Sequence, residues 1–254
     1  KATLISDLPT LPTSTPPNDS TATILSVSTG ITTTGAVPYC LVKVLVKPAI
    51  NIWVGLPTGG NWNGRLQSEG GGGFAGSVRV PAAMATGYIG IQTDTGHSGG
   101  GGAFGMLTPV PNGAPNVQLQ TDFAYRSEHE MAVIGKQLAQ AFYGTVPQYS
   151  YWNGCSTGGR QGLRMAQQFP SDYNGILAGA PAIHFDRLGV AQTWPQLPPL
   201  LDTGGPISRA KETLATNAAV AACDANDGVV DGVLTDPRQC TYNPVNDPTI
   251  TKAS

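Results

Sequence analysis

Apolar and polar positions alternate twice between residues 39 and 56, in two runs broken at Lys47-Pro48-Ala49. A period of two places every second side chain on one face, so this stretch predicts a β-hairpin or two neighbouring strands. Residues 1–36, rich in Thr, Ser and Pro with little periodicity, predict an extended arm with one strand at 22–28. Residues 64–69 predict a short strand that empties into the glycine run 70–73. Residues 81–87 predict a helix, 88–96 a buried strand ending in turn residues, and 99–120 a long Gly/Pro/Asn loop. From residue 121 to 143 the period changes: Phe123, Met131, Val133, Ile134, Leu138 and Phe142 recur at helical spacing, with Thr121 as the expected N-cap and Gly144 as the stop. A strand at 148–154, a tight turn, a helix at 160–169 and a short buried strand at 175–182 follow.

Strand–helix–strand–helix–strand implies a mostly parallel sheet covered by helices on both faces, an α/β architecture. The texture changes near residue 183: 193–208 reads as loop, 209–224 as helix, and 225–240 as a compact, glycine-rich, acidic segment. Two domains are therefore expected, 1–183 and 184–254.

Composition narrows the class. Only 12% of the residues are charged, with 33 Gly and 21 Pro, which suits a loop-rich secreted protein better than a helical bundle. A formal net charge of −2 offers no basic patch for nucleic acid or anionic membrane. No apolar run reaches the roughly 18 residues of a membrane span. The first residue is Lys1, so the chain is expected to be processed or trimmed. Asn18-Asp19-Ser20 is the one N-glycosylation sequon, and Asn18 is its candidate site.

The tight turn is where chemistry is expected. Gly154-Cys155-Ser156-Thr157-Gly158 places a serine between glycines two before and two after, flanked by a predicted strand and helix. That is the nucleophile elbow of α/β-hydrolases. The strained turn lifts Oγ above the sheet, and the Thr157 N–H, at a helix N-terminus, points toward developing negative charge. The glycine run 70–73 stands where the second oxyanion donor belongs.

A second cluster lies downstream. Asp224, Asp227 and Asp231 fall within eight residues beside glycines, a set of hard oxygens suited to Ca2+. It is not an EF-hand: with Asp224 as position one, Val229 stands at six and Thr235 at twelve. Cys223 and Cys240 bracket the cluster and are expected to be bonded, as fits an oxidising compartment.

Taken together, residues 62–65 (WNGR), 69–76 (EGGGGFAG), 93–97 (TDTGH), 154–162 (GCSTGGRQG), 169–182 (FPSDYNGILAGAPA) and 223–233 (CDANDGVVDGV) resemble the tannase and feruloyl esterase family, which also includes a bacterial hydrolase of a terephthalate monoester. The resemblance implies an α/β-hydrolase domain interrupted by a large lid that covers the site, so that 1–183 is the N-terminal part of the catalytic domain and 184–254 the start of the lid. It implies ester hydrolysis by a Ser-His-Asp triad, with aromatic acyl groups preferred. Ser156 would be the nucleophile, and the N–H groups of Thr157 and Gly73 the oxyanion hole. It also implies a disulfide from Cys155 to a cysteine directly after the triad histidine, and a lid calcium loop with carboxylates from Asp224, Asp227 and Asp231 and carbonyls from Val229 and Val233. Cys40 has its family partner nearer the N-terminus, where this chain has no cysteine, leaving a removed segment or a buried free thiol.

The family order is Ser, then Asp, then His. His97 and His129 precede the serine, His184 opens the second domain, and none is followed by cysteine, so none is a good triad base. The triad Asp and His are expected outside this chain. A precursor cleaved into two chains held through Cys155 is the favoured explanation, ahead of a fragment of a longer chain or an inactive protein. The expected function is a secreted serine esterase of hydroxylated aromatic acids, feruloyl esterase first and tannase or another aromatic monoester hydrolase second. The rival is an inactive, calcium-stabilised binding module.

Overall fold

The computed structural model describes residues 10–12, 21–107, 113–203 and 205–251, and Asn18 lies outside them. Eight strands are present: β1 (Thr10–Pro12), β2 (Thr21–Ile31), β3 (Pro38–Val46), β4 (Ile50–Pro57), β5 (Arg65–Glu69), β6 (Ile89–Thr93), β7 (Tyr149–Cys155) and β8 (Gly175–Gly179). They form one mixed sheet in the order β1-β2-β3-β4-β6-β5-β7-β8. The half from β1 to β4, together with the β4–β6 pairing, is antiparallel. The half that carries the serine turn, β6-β5-β7-β8, is parallel.

The alternating runs become the β3–β4 hairpin, in register as Val44↔Ile52 and Val42↔Val54. Its inward row is Val42, Val44 and Val46 with Ile50, Ile52, Val54 and Leu56, all fully buried. Over this row and over β6 lies α2 (Ser127–Tyr143), which buries Met131, Ala132, Ile134, Leu138 and Ala139. Close approach depends on Gly135, where a Cβ would stand 2.0 Å from Ile91 Cδ1. Next to it α3 (Thr157–Gln168) packs on β7 and β8. On the opposite face of the sheet the 3-10 turn Ala82–Thr86 sets Met84 against Gly55 and Gly90.

Several elements depart from the sequence pattern. The strand expected at 22–28 runs over Thr21–Ile31, because β3 supplies pairing partners from Ala22 to Ile31, with a bulge at Leu25. Residues 81–87 form a single 3-10 turn, ended by Gly87 at φ 81°. The loop expected at 99–120 contains a 3-10 turn at Gly102–Gly105 and the helix α1 (Val117–Thr121). The helix therefore starts before Thr121. Its N-cap is Asn116, whose side chain accepts a hydrogen bond from Leu119 N at 3.2 Å, and a π-turn at Asp122–Arg126 joins α1 to α2.

The chain divides into two compact units between Ile183 and His184. In the second unit the loop expected at 193–208 is largely helical: α4 (Phe185–Thr193), a 3-10 turn at Trp194–Gln196 and α5 (Leu197–Thr203). Pro195, Pro198 and Pro199 sit in first helical turns, where the missing N–H costs nothing. Then come α6 (Arg209–Cys223), capped by Ser208, and α7 (Pro248–Thr251). Cys223 is bonded to Cys240, with Cα atoms 5.4 Å apart, as the sequence predicts.

Candidate active site

At the end of β7 the chain reverses into α3 through one residue. Ser156 takes φ 61° and ψ −118°, a region L-residues rarely occupy and one that costs on the order of 1–3 kcal/mol. Its neighbours hold it there. Ser156 N donates to Gly179 O at 3.0 Å, and Ser156 O accepts from Arg160 N and Ala182 N, both at 3.1 Å. Gly154 is required by packing, since a Cβ there would meet Gly158 O at 2.5 Å. Trp152 braces the turn from below, donating from Nε1 to Gly158 O at 2.9 Å. Ser156 itself is exposed, and so is the free thiol of Cys155.

Four hydrogen bonds tie the glycine run to β7 and α3. Gly70 N donates to Asn153 O at 2.9 Å, and Gly71 N to Gln161 Oε1 at 3.0 Å. Gly71 O accepts from Gly158 N at 2.8 Å, and Gly73 O from the Thr157 hydroxyl. The last contact sets Thr157 and Gly73 side by side. Among the described residues, the N–H groups of Thr157, Gly72 and Gly73 have no acceptor. For Thr157 the reason is its place as first residue of a helix. Gly70 and Gly71 are thereby removed as oxyanion donors, leaving the expected Gly73, at φ 56°, and its neighbour Gly72.

Beneath the loop lies a buried carboxyl that sequence reading missed. Glu128 on α2 is completely buried and accepts from Ser127 Oγ at 3.0 Å and from Gln161 Nε2. Burial pushes its pKa up to about 7 against the opposing pull of the Arg160 charge and these hydrogen bonds. Arg160 anchors to Phe123 O and Ala124 O, each at 3.2 Å, and lies over the Phe123 ring. Phe74, directly after Gly73, meets Phe104 and Phe123 with ring centres 6.3 and 6.2 Å apart. No local signal announces these residues, because their meeting depends on three separate elements.

The histidines behave as packing residues. His97 stacks on Phe104 at 3.7 Å, with Nδ1 facing Thr95 Oγ1 at 3.3 Å and Nε2 buried without a partner among the described residues. His129 pairs with Asp172 at 2.6 Å and stacks on Phe169. No hydrogen bond joins either to Ser156 among the described residues. His184 opens α4 in the left-handed region, at φ 49°. A cavity of about 450 Å3 lined by the buried free Cys40, Trp62, Phe142 and Tyr143 shares no residue with the serine turn or the glycine run.

In the second unit the acidic loop folds onto its own backbone. Asp224 accepts from Gly232 N at 3.0 Å, Asp227 from Val229 N at 3.0 Å and from the Thr235 hydroxyl, and Asp231 from Val233 N at 3.0 Å. The Thr235 and Val229 bonds hold the Asp227 carboxyl below its usual range. The oxygen donors suit a hard cation. In this conformation, however, no three His, Cys, Asp or Glu side chains converge to hold a metal among the described residues.

A serine at an elbow between strand and helix, on a partly parallel sheet, places the chain among the α/β-hydrolases. The chain belongs to the tannase and feruloyl esterase family, whose family model, "Tannase and feruloyl esterase", matches residues 35–254. It is 39% identical over 202 residues to a probable feruloyl esterase of Arthroderma benhamiae, covering 78% of this chain and 37% of that protein. Feruloyl esterase B of Aspergillus niger is 39% identical over 185 residues, or 71% and 34% of the two chains. Among solved structures, feruloyl esterase B from Aspergillus oryzae superposes with a TM-score of 0.69 at 29% identity, over 88% of this chain and 48% of that one. Tannin acyl hydrolase from Aspergillus niger gives 0.65 at 27%, over 92% and 46%. The chain thus spans about a third of the length of the curated relatives it matches.

Proposed function

We propose that this chain carries the nucleophile of a serine carboxylic ester hydrolase acting on esters of hydroxylated aromatic acids. The observation that carries the reading is Ser156, held exposed at a strained elbow beside the open N–H groups of Thr157 and Gly73. Ser156 Oγ attacks the ester carbonyl, and those two N–H groups take the oxyanion. The alcohol departs with a proton from the triad histidine, and water then resolves the acyl-enzyme. The triad Asp and His come from residues outside this chain, on a second chain of the same precursor joined through Cys155. Supporting this, Cys155 is exposed and unpaired, and β8, paired only with β7 among the described residues, leaves Leu177 64% exposed at an open sheet edge. Feruloyl esters rank first because the relatives carry that name; galloyl esters rank second through the likeness to tannin acyl hydrolase. Phe74 and Phe104, half-buried near the glycine run, offer an apolar surface for an aryl group. In the full-length parent protein, release of ferulate from methyl ferulate should exceed release of gallate from methyl gallate. Ser156→Ala should abolish both, and unchanged hydrolysis in that variant would refute the mechanism.

The same reading makes the protein extracellular, glycosylated at Asn18, with structural Ca2+ on the acidic loop. The Cys223–Cys240 bond supports an oxidising compartment. No described helix is long and apolar enough to cross a membrane. Asp224, Asp227 and Asp231 with the carbonyls of Val229 and Val233 would hold the cation and neutralise their mutual repulsion. Calcium should then raise the melting temperature of the second unit, and Asp227→Asn should remove the rise. Asn18→Gln should eliminate an endoglycosidase-sensitive mass shift.

A further inference from the structure

Four facts converge below the glycine run. Glu128 is fully buried on α2, and Gln161, 1% exposed, sits on α3 one turn beyond Ser156. Gln161 Nε2 donates to Glu128 Oε1, and its Oε1 accepts from Gly71 N at 3.0 Å. The Ser127 hydroxyl lies 3.0 Å from Glu128 Oε2 and 2.8 Å from Asp122 O, and its single proton goes to one of them at a time. Gly71 O accepts from Gly158 N at 2.8 Å, on the helix that starts at the serine turn.

We propose that Glu128 and Gln161 are positioning residues for the oxyanion hole, a buried relay that fixes the glycine run against the helix behind Ser156. This rests on the hydrolase reading above. The polarity of the relay is dictated from one end. Gly71 N–H can only donate, so the Gln161 amide must turn its oxygen to Gly71 and its nitrogen to Glu128. Glu128 must then accept, which it does in either ionisation state. A proton on Oε2 leaves Oε1 free to receive Gln161, and the Ser127 hydroxyl accepts in its place. Ser127, Glu128 and Gln161 are buried and Gly71 is half-buried, so a reversed or missing partner leaves an unsatisfied polar atom in the interior. That strain falls on Gly71, two residues from Gly73, whose N–H faces the oxyanion. Neither residue touches substrate, so their loss lowers kcat and leaves KM nearly alone.

The test uses the full-length parent protein. Gln161→Met removes both amide contacts. Gln161→Glu, assayed at a pH where both carboxyls are ionised, sets two carboxylates against each other with no donor between them. Both should lower kcat for a model aryl ester about 10- to 100-fold with KM changed less than about threefold, on the scale of a weakened oxyanion donor. The exchanged pair Glu128→Gln with Gln161→Glu restores the polarity: Gln at 128 donates to Glu at 161, which still accepts from Gly71. It should recover most of the kcat lost in Gln161→Glu. Hydrogen exchange of the 69–76 segment, which needs no activity, should accelerate in Gln161→Met and return to the wild-type rate in the exchanged pair. Wild-type kcat in either single variant, a rise in KM instead of a fall in kcat, or an exchanged pair that folds or turns over no better than Gln161→Glu overturns the relay. If Ser156→Ala still hydrolyses ester while segment 69–76 responds as described, the hydrolase reading fails and the relay stands as a feature of the loop.

Discussion

Glu128 holds a proton more tightly in the folded chain than in the unfolded one, and that asymmetry has a measurable consequence. Its ordinary value of 4.5 is raised to about 7 by burial. Its contribution to stability is therefore complete below about pH 4.5 and is lost as pH rises through about 7. The loss amounts to roughly 3 kcal/mol across that window. Urea unfolding between pH 4 and 8 should show this fall in the wild type, and Glu128→Gln should flatten it. An unchanged slope in the variant would assign the titration elsewhere. At this scale the sequence was a partial guide. Ser156, Thr157 and Gly154 were legible because the elbow is a contiguous pattern whose spacing is itself the geometry. Glu128 and Gln161 were not, because a charged residue on an amphipathic helix reads as solvated surface until another element is packed over it.

Elements were legible where the chain's own periodicity decided them and obscure where proline, glycine or long-range pairing did. The β3–β4 hairpin alternates by itself, and its core row follows directly. Pro195, Pro198 and Pro199 instead suggested loop, although a proline in a first helical turn gives up only an N–H that had no partner. The helix entering α2 starts earlier than its pattern suggests for a related reason. Gly and Pro before residue 116 hid the cap that Asn116 supplies. The seat of α2 on β6 carries its own prediction. Gly135→Ala brings a Cβ to within 2.0 Å of Ile91 Cδ1, and overpacking of this kind costs about 1–3 kcal/mol. Ile91→Val removes that carbon at a cost of about 0.5–1.5 kcal/mol on its own. The double variant should be more stable in urea than the sum of the two single losses, with a favourable coupling of at least about 0.5 kcal/mol. Strict additivity would mean that α2 sits on β6 through other contacts.

At the scale of the whole molecule the parts of the site are unequally distributed. The strained serine, the open N–H groups and the braced glycine run all belong to the first unit. Among the described residues no histidine of that unit is hydrogen-bonded to Ser156: His97 lies against Phe104 and His129 is paired with Asp172. A serine hydroxyl without an adjacent base is a weak nucleophile. The relatives are about three times as long as the matched stretch, which leaves ample chain to supply an acid and a base. Two species therefore separate the arrangement. The isolated chain, folded as judged by its intact Cys223–Cys240 bond, should not react with a fluorophosphonate probe at Ser156. The full-length parent protein should be labelled there within minutes, and if the base lies on a segment bonded to Cys155, prior reduction should slow that labelling. Equal labelling of both species would mean that this chain holds its own base, with His97 the first residue to substitute. Absent labelling in the full-length protein would instead favour a binding module that keeps the elbow without the chemistry.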